Sequence, residues 1–301
     1  MSNKMNEKKY EMLFDDICEF TDGTVTYRIK ALKNIPRYNV KVGDLGGYIE
    51  SEHNLSHLGS CWVGNDAAVM FKAIVCEDAY IYGDAIITGD ARIYGSATVY
   101  DSAYIAGHVN VYDNARIHKE AEILAYAKIY NNAEIDGKVF IQGHAEIYGN
   151  AVIRNGGLIT GFTRINDDAV VNDFLRIIDN VHIYEHAVID GHRVICEGSA
   201  EIHGNVILAK YAQVGGCADI TGPAYIRCYD DCSMVGMPVS GANVLTFYRT
   251  INPEHIGVTF DGRYYDADEF TKVSNHYKPL YERAKLYAKT QILEIGENNY
   301  V

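Results

Sequence analysis

Residues 85–102 read AIITGD, ARIYGS, ATVYDS, and this six-residue cadence decides the fold. Working outward in both directions, an Ile or Val recurs at every sixth position from Val63 to Ile195. After one extra residue the series resumes at Ile202, Leu208, Val214, Ile220 and Ile226. Alanine sits two positions before most of these aliphatics, as at Ala79, Ala85, Ala91, Ala97, Ala103, Ala115, Ala121 and Ala127. Strict alternation sends the alanine and the aliphatic inward and their neighbours outward, while Gly, Asp or Asn takes the turn. One such unit cannot bury its own inward side chains, but a stack of them can, which is the logic of a solenoid.

The pattern resembles the hexapeptide-repeat superfamily of left-handed parallel β-helices, many of which are acyltransferases. The resemblance implies three hexads per triangular coil, so residues 18 apart lie above one another at about 4.8 Å, giving roughly nine coils. The left hand comes from the family, because parallel crossovers otherwise favour the right. The segment Gly43 to Ser56, GDLGGYIESEHNLS, followed by CWV at Cys61 to Val63, is similar to the opening of YdcK-like bacterial and phage transferases. The expected fold is an all-β solenoid over 61–227, with an N-terminal β cap in 1–60 and a C-terminal extension in 228–301.

The cap is expected to contain an apolar segment from Tyr10 to Phe20, a turn at Asp22 and Gly23, and an alternating strand from Val25 to Ala31. A cap is required because an open solenoid end exposes unpaired backbone and apolar side chains. In the extension, Asp266 and Glu269 have capping-box spacing before a short helix through about Asn275, and Pro279 suits the first turn of a second helix. Leu280, Ala284, Tyr287 and Ala288 fall on one face of that second helix, widened by Tyr281 and Ile292, so it needs a partner surface.

The net charge of −13 argues against a broad nucleic-acid surface or an anionic membrane partner. The first residues contain no apolar core of signal-peptide length, and no run reaches a transmembrane span, so a cytoplasmic location is expected. Seven scattered cysteines without CxxC spacing read as reduced thiols, and no metal site is expected.

Sorting outward positions by the 18-residue coil separates three faces. One carries Ile86, Tyr104, Leu124, Phe140, Leu158, Ile178, Val194 and Cys196 together with Glu122 and Arg176, and such a long, mostly apolar outward face calls for a partner. That partner is either a second copy or the C-terminal helix, and the family resemblance implies a homotrimer. A second face stacks Tyr94, Tyr112, Tyr130 and Tyr148 beside Arg92 and Lys128, which reads either as structural stacking or as a surface for a planar or phosphorylated small-molecule ligand. The third, with Tyr82, Tyr100, His118 and Asp136, reads as a solvated face.

Between the apolar and tyrosine faces, one corner stacks His108, Tyr126, His144 and Phe162 where the repeat otherwise sets short turn residues. Departures from a repeat's own rule point to function. Hexapeptide acyltransferases use a histidine as general base beside acyl-coenzyme A, so the resemblance implies His108 or His144 as the base, with Tyr126 and Phe162 at the ligand. Acetyl-coenzyme A or another acyl-coenzyme A is the implied donor. The alternative is a noncatalytic, phage-related oligomeric scaffold that binds a host protein or small ligand, which the absence of any loop interrupting the repeat favours. At the phase slip Arg193 falls in a small inward position, so the coil must bulge and turn the guanidinium outward, or pair it with Glu197 or Glu201.

Overall fold

The computed structural model describes residues 8–236, 244–252, 254–270 and 278–295. The architecture is an all-β parallel solenoid of about 10 turns with antiparallel strands before it. Two compact units are present, Met1–Asn150 and Ala151–Val301.

In the first unit the period produces two- and three-residue strands on three faces. One face pairs Trp62, Tyr80, Thr98, Arg116 and Glu134 in parallel register, each 18 residues beyond the last. The next pairs Ala68, Ile86, Tyr104, Glu122 and Phe140. The last pairs Ile74, Arg92, Asn110, Lys128 and Glu146. Two-residue strands suffice because each coil's backbone bonds to the coil above it rather than to its own neighbours. Inside, Ala79, Ile81, Ala97, Val99, Ala115 and Ile117 are fully buried, which is the inward assignment the alternation requires.

The corners are made by a backbone device. Every sixth residue from Asn65 to Gly149 has φ in the left-handed region, from Asn65 at 52° to Gly149 at 70°. Gly, Asn and Asp take this conformation at least cost, which explains their frequency in the turns. Phe71, Lys119 and Ala125 adopt it as well, held there by the coils to either side.

Strands β1 (Tyr10–Glu19) and β2 (Val25–Ala31) form the expected hairpin, with the turn at Gly23, φ 85°. Strand β3 (Leu45–Ile49) pairs antiparallel with β2 and parallel with Ala68–Val69, so it converts the cap into the first coil. The GDLGG sequence has a specific reason. A Cβ on Gly47 would lie 2.4 Å from the Ala67 carbonyl oxygen, and one on Gly46 would lie 2.6 Å from both Ile29 and Trp62 side chains.

The second unit repeats the three faces, as in the ladder Arg164, His182, Glu201, Asp219. The phase slip falls earlier than the aliphatic series suggested. Ile195 pairs with outward Arg176 and Cys196 with inward Ile177, so Cys196 and Val194 are buried inside the coil and do not belong to the outward apolar face. The additional residue is absorbed in the turn at Gly191 to Arg193. Arg193 takes φ 67° and is exposed, which is the outward rotation that burial of a charge demands.

The C-terminal extension holds more strand than expected. Cys232–Gly236, Val244–Arg249, Ile256–Phe260 and Arg263–Asp266 form a four-stranded antiparallel sheet. These strands follow no six-residue period and their hydrophobic runs are short, so the sequence pattern does not mark them. The sheet closes the last coils: the Tyr248 hydroxyl donates to the Thr221 carbonyl at 2.8 Å, and the Asp219 N–H donates to Thr246 Oγ1 at 3.0 Å. Buried Arg249 pairs with fully buried Asp231 at 2.7 Å, and Arg227 shares that carboxylate at 3.1 Å.

Helix α1 (Lys278–Lys289) continues as a π-helical turn, Thr290–Ile295. Tyr281, Ala284, Ala288 and Ile292 bury against Leu245, Phe247, Ile256 and Val258 of this sheet, which is therefore the partner surface the stripe needs. Tyr287 departs from the expected stripe and is 58% exposed. The shorter helix expected from Asp266 does not begin there: Asp266 ends a strand and 267–269 form a turn, with the Asp268 N–H donating to Asp266 Oδ1 at 2.8 Å, while 271–277 lie outside the described residues. The Leu280 side chain lies outside them too.

No helix among the described residues is long and apolar enough to cross a membrane.

Candidate functional site

The corner column of the first unit assembles as its spacing predicts and extends further down than the rings alone indicated. His108 and Tyr126 stack at 5.0 Å with planes 12° apart, and Tyr126 and His144 at 4.9 Å and 10°. Below His108 the same corner holds Asp90 and then Lys72. Asp90 Oδ2 is 3.2 Å from His108 Nδ1, and Lys72 Nζ is 3.9 Å from Asp90 Oδ1. Neither Asp90 nor Lys72 was singled out from sequence. Both lie on the same 18-residue column as His108, so carrying the column down by two coils would have found them.

This corner opens onto a hollow of about 580 Å³ lined by His53, Lys72, Ile74, Asp90, Arg92, His108 and Asn110. Its chemistry is defined by one carboxylate beside an imidazole, with the side chains of Lys72, Arg92 and His53 around them. The Asp90 carboxylate beside His108 Nδ1 is at ion-pair distance and favours the tautomer with the proton on Nδ1 and the lone pair on Nε2, the arrangement a general base needs. His108 therefore has a carboxylate neighbour and a concave surface. His144 does not line this hollow, and Phe162 belongs to the second unit, where it is 62% exposed.

The tyrosine ladder is also formed. Tyr94, Tyr112, Tyr130 and Tyr148 stack at successive centroid distances of 4.9 Å with planes within 4°. Burial raises the hydroxyls of Tyr94 and Tyr112 above the ordinary phenol range, so they are neutral donors near neutral pH. Beside them Lys128 Nζ donates to Glu146 Oε1 at 2.7 Å, which ties up that cation in an exposed ion pair. Arg92 lines the main hollow. A second hollow of about 380 Å³ is lined by Ile74, Cys76, Glu77, Arg92, Tyr94 and Asn110, so the foot of the ladder adjoins the His108 corner through Ile74, Arg92 and Asn110.

The third face departs from the solvated reading. Tyr38, Tyr80, Tyr82, Tyr100 and His118 form one continuous stack with centroid steps of 4.3, 4.6, 4.8 and 4.7 Å. The His118 side chain is only 12% exposed. Its sequence signal was the 18-residue spacing of Tyr82, Tyr100 and His118, obscured because Tyr38 comes from the cap. His118, Glu134 and Asp136 bring three ligand atoms within 4.8 Å of one another, a geometry that could hold a metal ion. Lys119 Nζ already lies 2.5 Å from Asp136 Oδ1 and supplies the positive charge these carboxylates need.

Comparison with family models and with curated proteins gives no match for this chain. Function must therefore be argued from the site.

Proposed function

We propose that the chain is a hexapeptide-repeat transferase that moves an acyl group from acyl-coenzyme A to a hydroxyl or amine acceptor, with His108 as general base. The observation that carries this reading is the Asp90–His108 pair, 3.2 Å apart, opening into a hollow beside Lys72 and Arg92. His108 Nε2 would take the acceptor's proton as its oxygen or nitrogen attacks the thioester carbonyl. The carbon–sulfur bond then breaks, and the proton passes from His108 to the departing thiolate. Asp90 stabilises the imidazolium formed between these two transfers, and Lys72 and Arg92 provide a cationic wall for the donor's phosphates. Packing of the apolar face, including Ile86, Leu124 and Phe140, against a second copy would enclose this open corner, as in the trimers that the family resemblance implies.

The test is calorimetry with acetyl-coenzyme A on the intact protein, followed by thiol release across a panel of amine and hydroxyl acceptors. Binding is expected in the low-millimolar range or tighter. His108→Ala should lower turnover by about 10²- to 10⁴-fold, the usual worth of a positioned acid–base group, while leaving donor binding nearly unchanged. Absence of acyl-coenzyme A binding rejects the reading.

A noncatalytic binding surface is favoured by a different observation, the four parallel tyrosine rings whose foot lines the adjoining hollow. In that case Tyr94→Ala abolishes ligand binding and His108→Ala leaves it intact.

A further inference from the structure

Lys9 and Cys61 form a buried amine–thiol pair at the junction between the cap and the first coil. Lys9 is 3% exposed and Cys61 is fully buried, yet Lys9 Nζ lies 3.1 Å from Cys61 Sγ and 2.7 Å from the Cys61 carbonyl oxygen. Among the described residues no carboxylate lies within ion-pair distance of Lys9. A buried ammonium would have three protons for these two acceptors, whereas a neutral amine has two and keeps a lone pair. Burial drives Lys9 the same way, holding its pKa below the ordinary lysine value despite the thiol's opposing pull. Cys61 Sγ is also within 3.4 Å of the Ser56 carbonyl oxygen and 3.6 Å of that of Leu58, a setting that suits a protonated thiol at rest. Lys9 is itself held in register, since its backbone N–H donates to His57 Nδ1 at 3.2 Å and the next residue, Tyr10, stacks on the His57 ring at 4.4 Å.

We propose that Lys9 and Cys61 are an oxidative modification site, at which peroxide joins the lysine nitrogen to the cysteine sulfur through a single oxygen atom. The amine is the base within reach of the thiol. Once it takes that proton, the thiolate attacks one peroxide, the O–O bond breaks, and a sulfenic acid and one water result. The amine, regenerated as its proton leaves with that water, attacks a second peroxide to give a hydroxylamine and a second water. Condensation of the hydroxylamine oxygen with the sulfenic sulfur expels the third water and leaves N–O–S. Sulfur and nitrogen each lose two electrons, and the two peroxides take all four. No second cysteine is required, and the 3.1 Å separation needs only a small approach to accommodate one bridging oxygen. A reagent little larger than water gains access by local opening at the end coil.

The bridge would close a loop between residues 52 apart and tie β1 to the first coil, so oxidation should strengthen the cap. The experiment treats the unmodified full chain with hydrogen peroxide, then maps peptides by mass spectrometry without reduction. The expected product links the Lys9 and Cys61 peptides with the mass of one added oxygen and two lost hydrogens. It should revert with dithiothreitol, and the oxidised protein should melt at a higher temperature than the reduced one. Chain unfolded in urea before treatment should not form it, and neither should Lys9→Met or Cys61→Ser. Recovery of Cys61 as a sulfinic acid with Lys9 unlinked overturns the proposal, as does an equal yield from the unfolded chain. Because the unmodified protein provides the deciding measurement, a variant that fails to fold leaves the conclusion intact.

Discussion

His203 illustrates how a single residue can couple the second unit to pH. It is 7% exposed, stacks on Tyr184 at 4.7 Å, and sets Nε2 3.1 Å from Asp219 Oδ1 and Nδ1 3.7 Å from Glu185. Burial disfavours its charged form, but the Asp219 hydrogen bond and the charges of Asp219, Glu185 and Glu201 outweigh that, so its pKa is raised from 6.5. A raised folded-state value means that the contribution to stability is complete below pH 6.5 and is lost as pH climbs through the folded value. His182, on the other side of Tyr184, is lowered, chiefly by burial, and acts in the opposite sense: its contribution is complete above pH 6.5 and lost on acidification. Melting temperatures of His203→Gln and the parent should therefore differ most below about pH 6 and converge in the alkaline range. A difference that stays constant from pH 5 to 9 would show that the residue acts through packing alone. None of this was legible from the sequence, because the phase slip at Gly191 changes the coil register from 18 to 19 residues, so that His203 stacks over Tyr184 and not over Glu185, which stands 18 residues before it.

At the scale of elements, legibility depended on period. The hexads of both units, the hairpin of β1 and β2, and the buried stripe at Tyr281, Ala284, Ala288 and Ile292 were all carried by local repetition. The sheet from Cys232 to Asp266 repeats nothing, and its strands are defined by partners distant in sequence. The His108 corner was visible as a column of rings, but Asp90 was hidden because a short polar residue is the ordinary occupant of a turn, and Lys72 because a single lysine there reads as a solvated charge. Strand β3 shows the other way a sequence signals structure. Gly46 and Gly47 have no positive φ; they are needed because neighbouring atoms come within 2.4 to 2.6 Å of where a Cβ would stand. The atom nearest Gly47 is a backbone oxygen in the first coil, which cannot move without disturbing that coil. Gly47→Ala should therefore cost about 1–3 kcal/mol, the usual range for overpacking, and lower the denaturant midpoint. A variant as stable as the parent would mean that β3 can lift from Ala68–Val69 without loss.

For the whole molecule, the outward apolar face is the surface without an assigned role. Helix α1 was one candidate partner, but its buried stripe is already occupied by the C-terminal sheet. In the first unit Ile86, Tyr104, Glu122 and Phe140 stack in register, with Leu124 two residues beyond Glu122, and Tyr104 remains 37% exposed. An outward row of this kind, on a chain of net charge −13, is better matched by an apolar surface than by an acidic or a basic one. We propose a second copy of the chain as that surface, forming an oligomer. Burying a Leu or Phe side chain is worth about 1.5–3 kcal/mol, so two aspartates at this face remove that gain and add repulsion to a protein that is already anionic. The double substitution Leu124→Asp and Phe140→Asp should convert the oligomer to a monomer in light scattering while preserving the far-ultraviolet circular dichroism of the solenoid, because both side chains point away from the core. A parent protein that is itself monomeric at every concentration measured would rule out the second copy and leave the face to a different macromolecule.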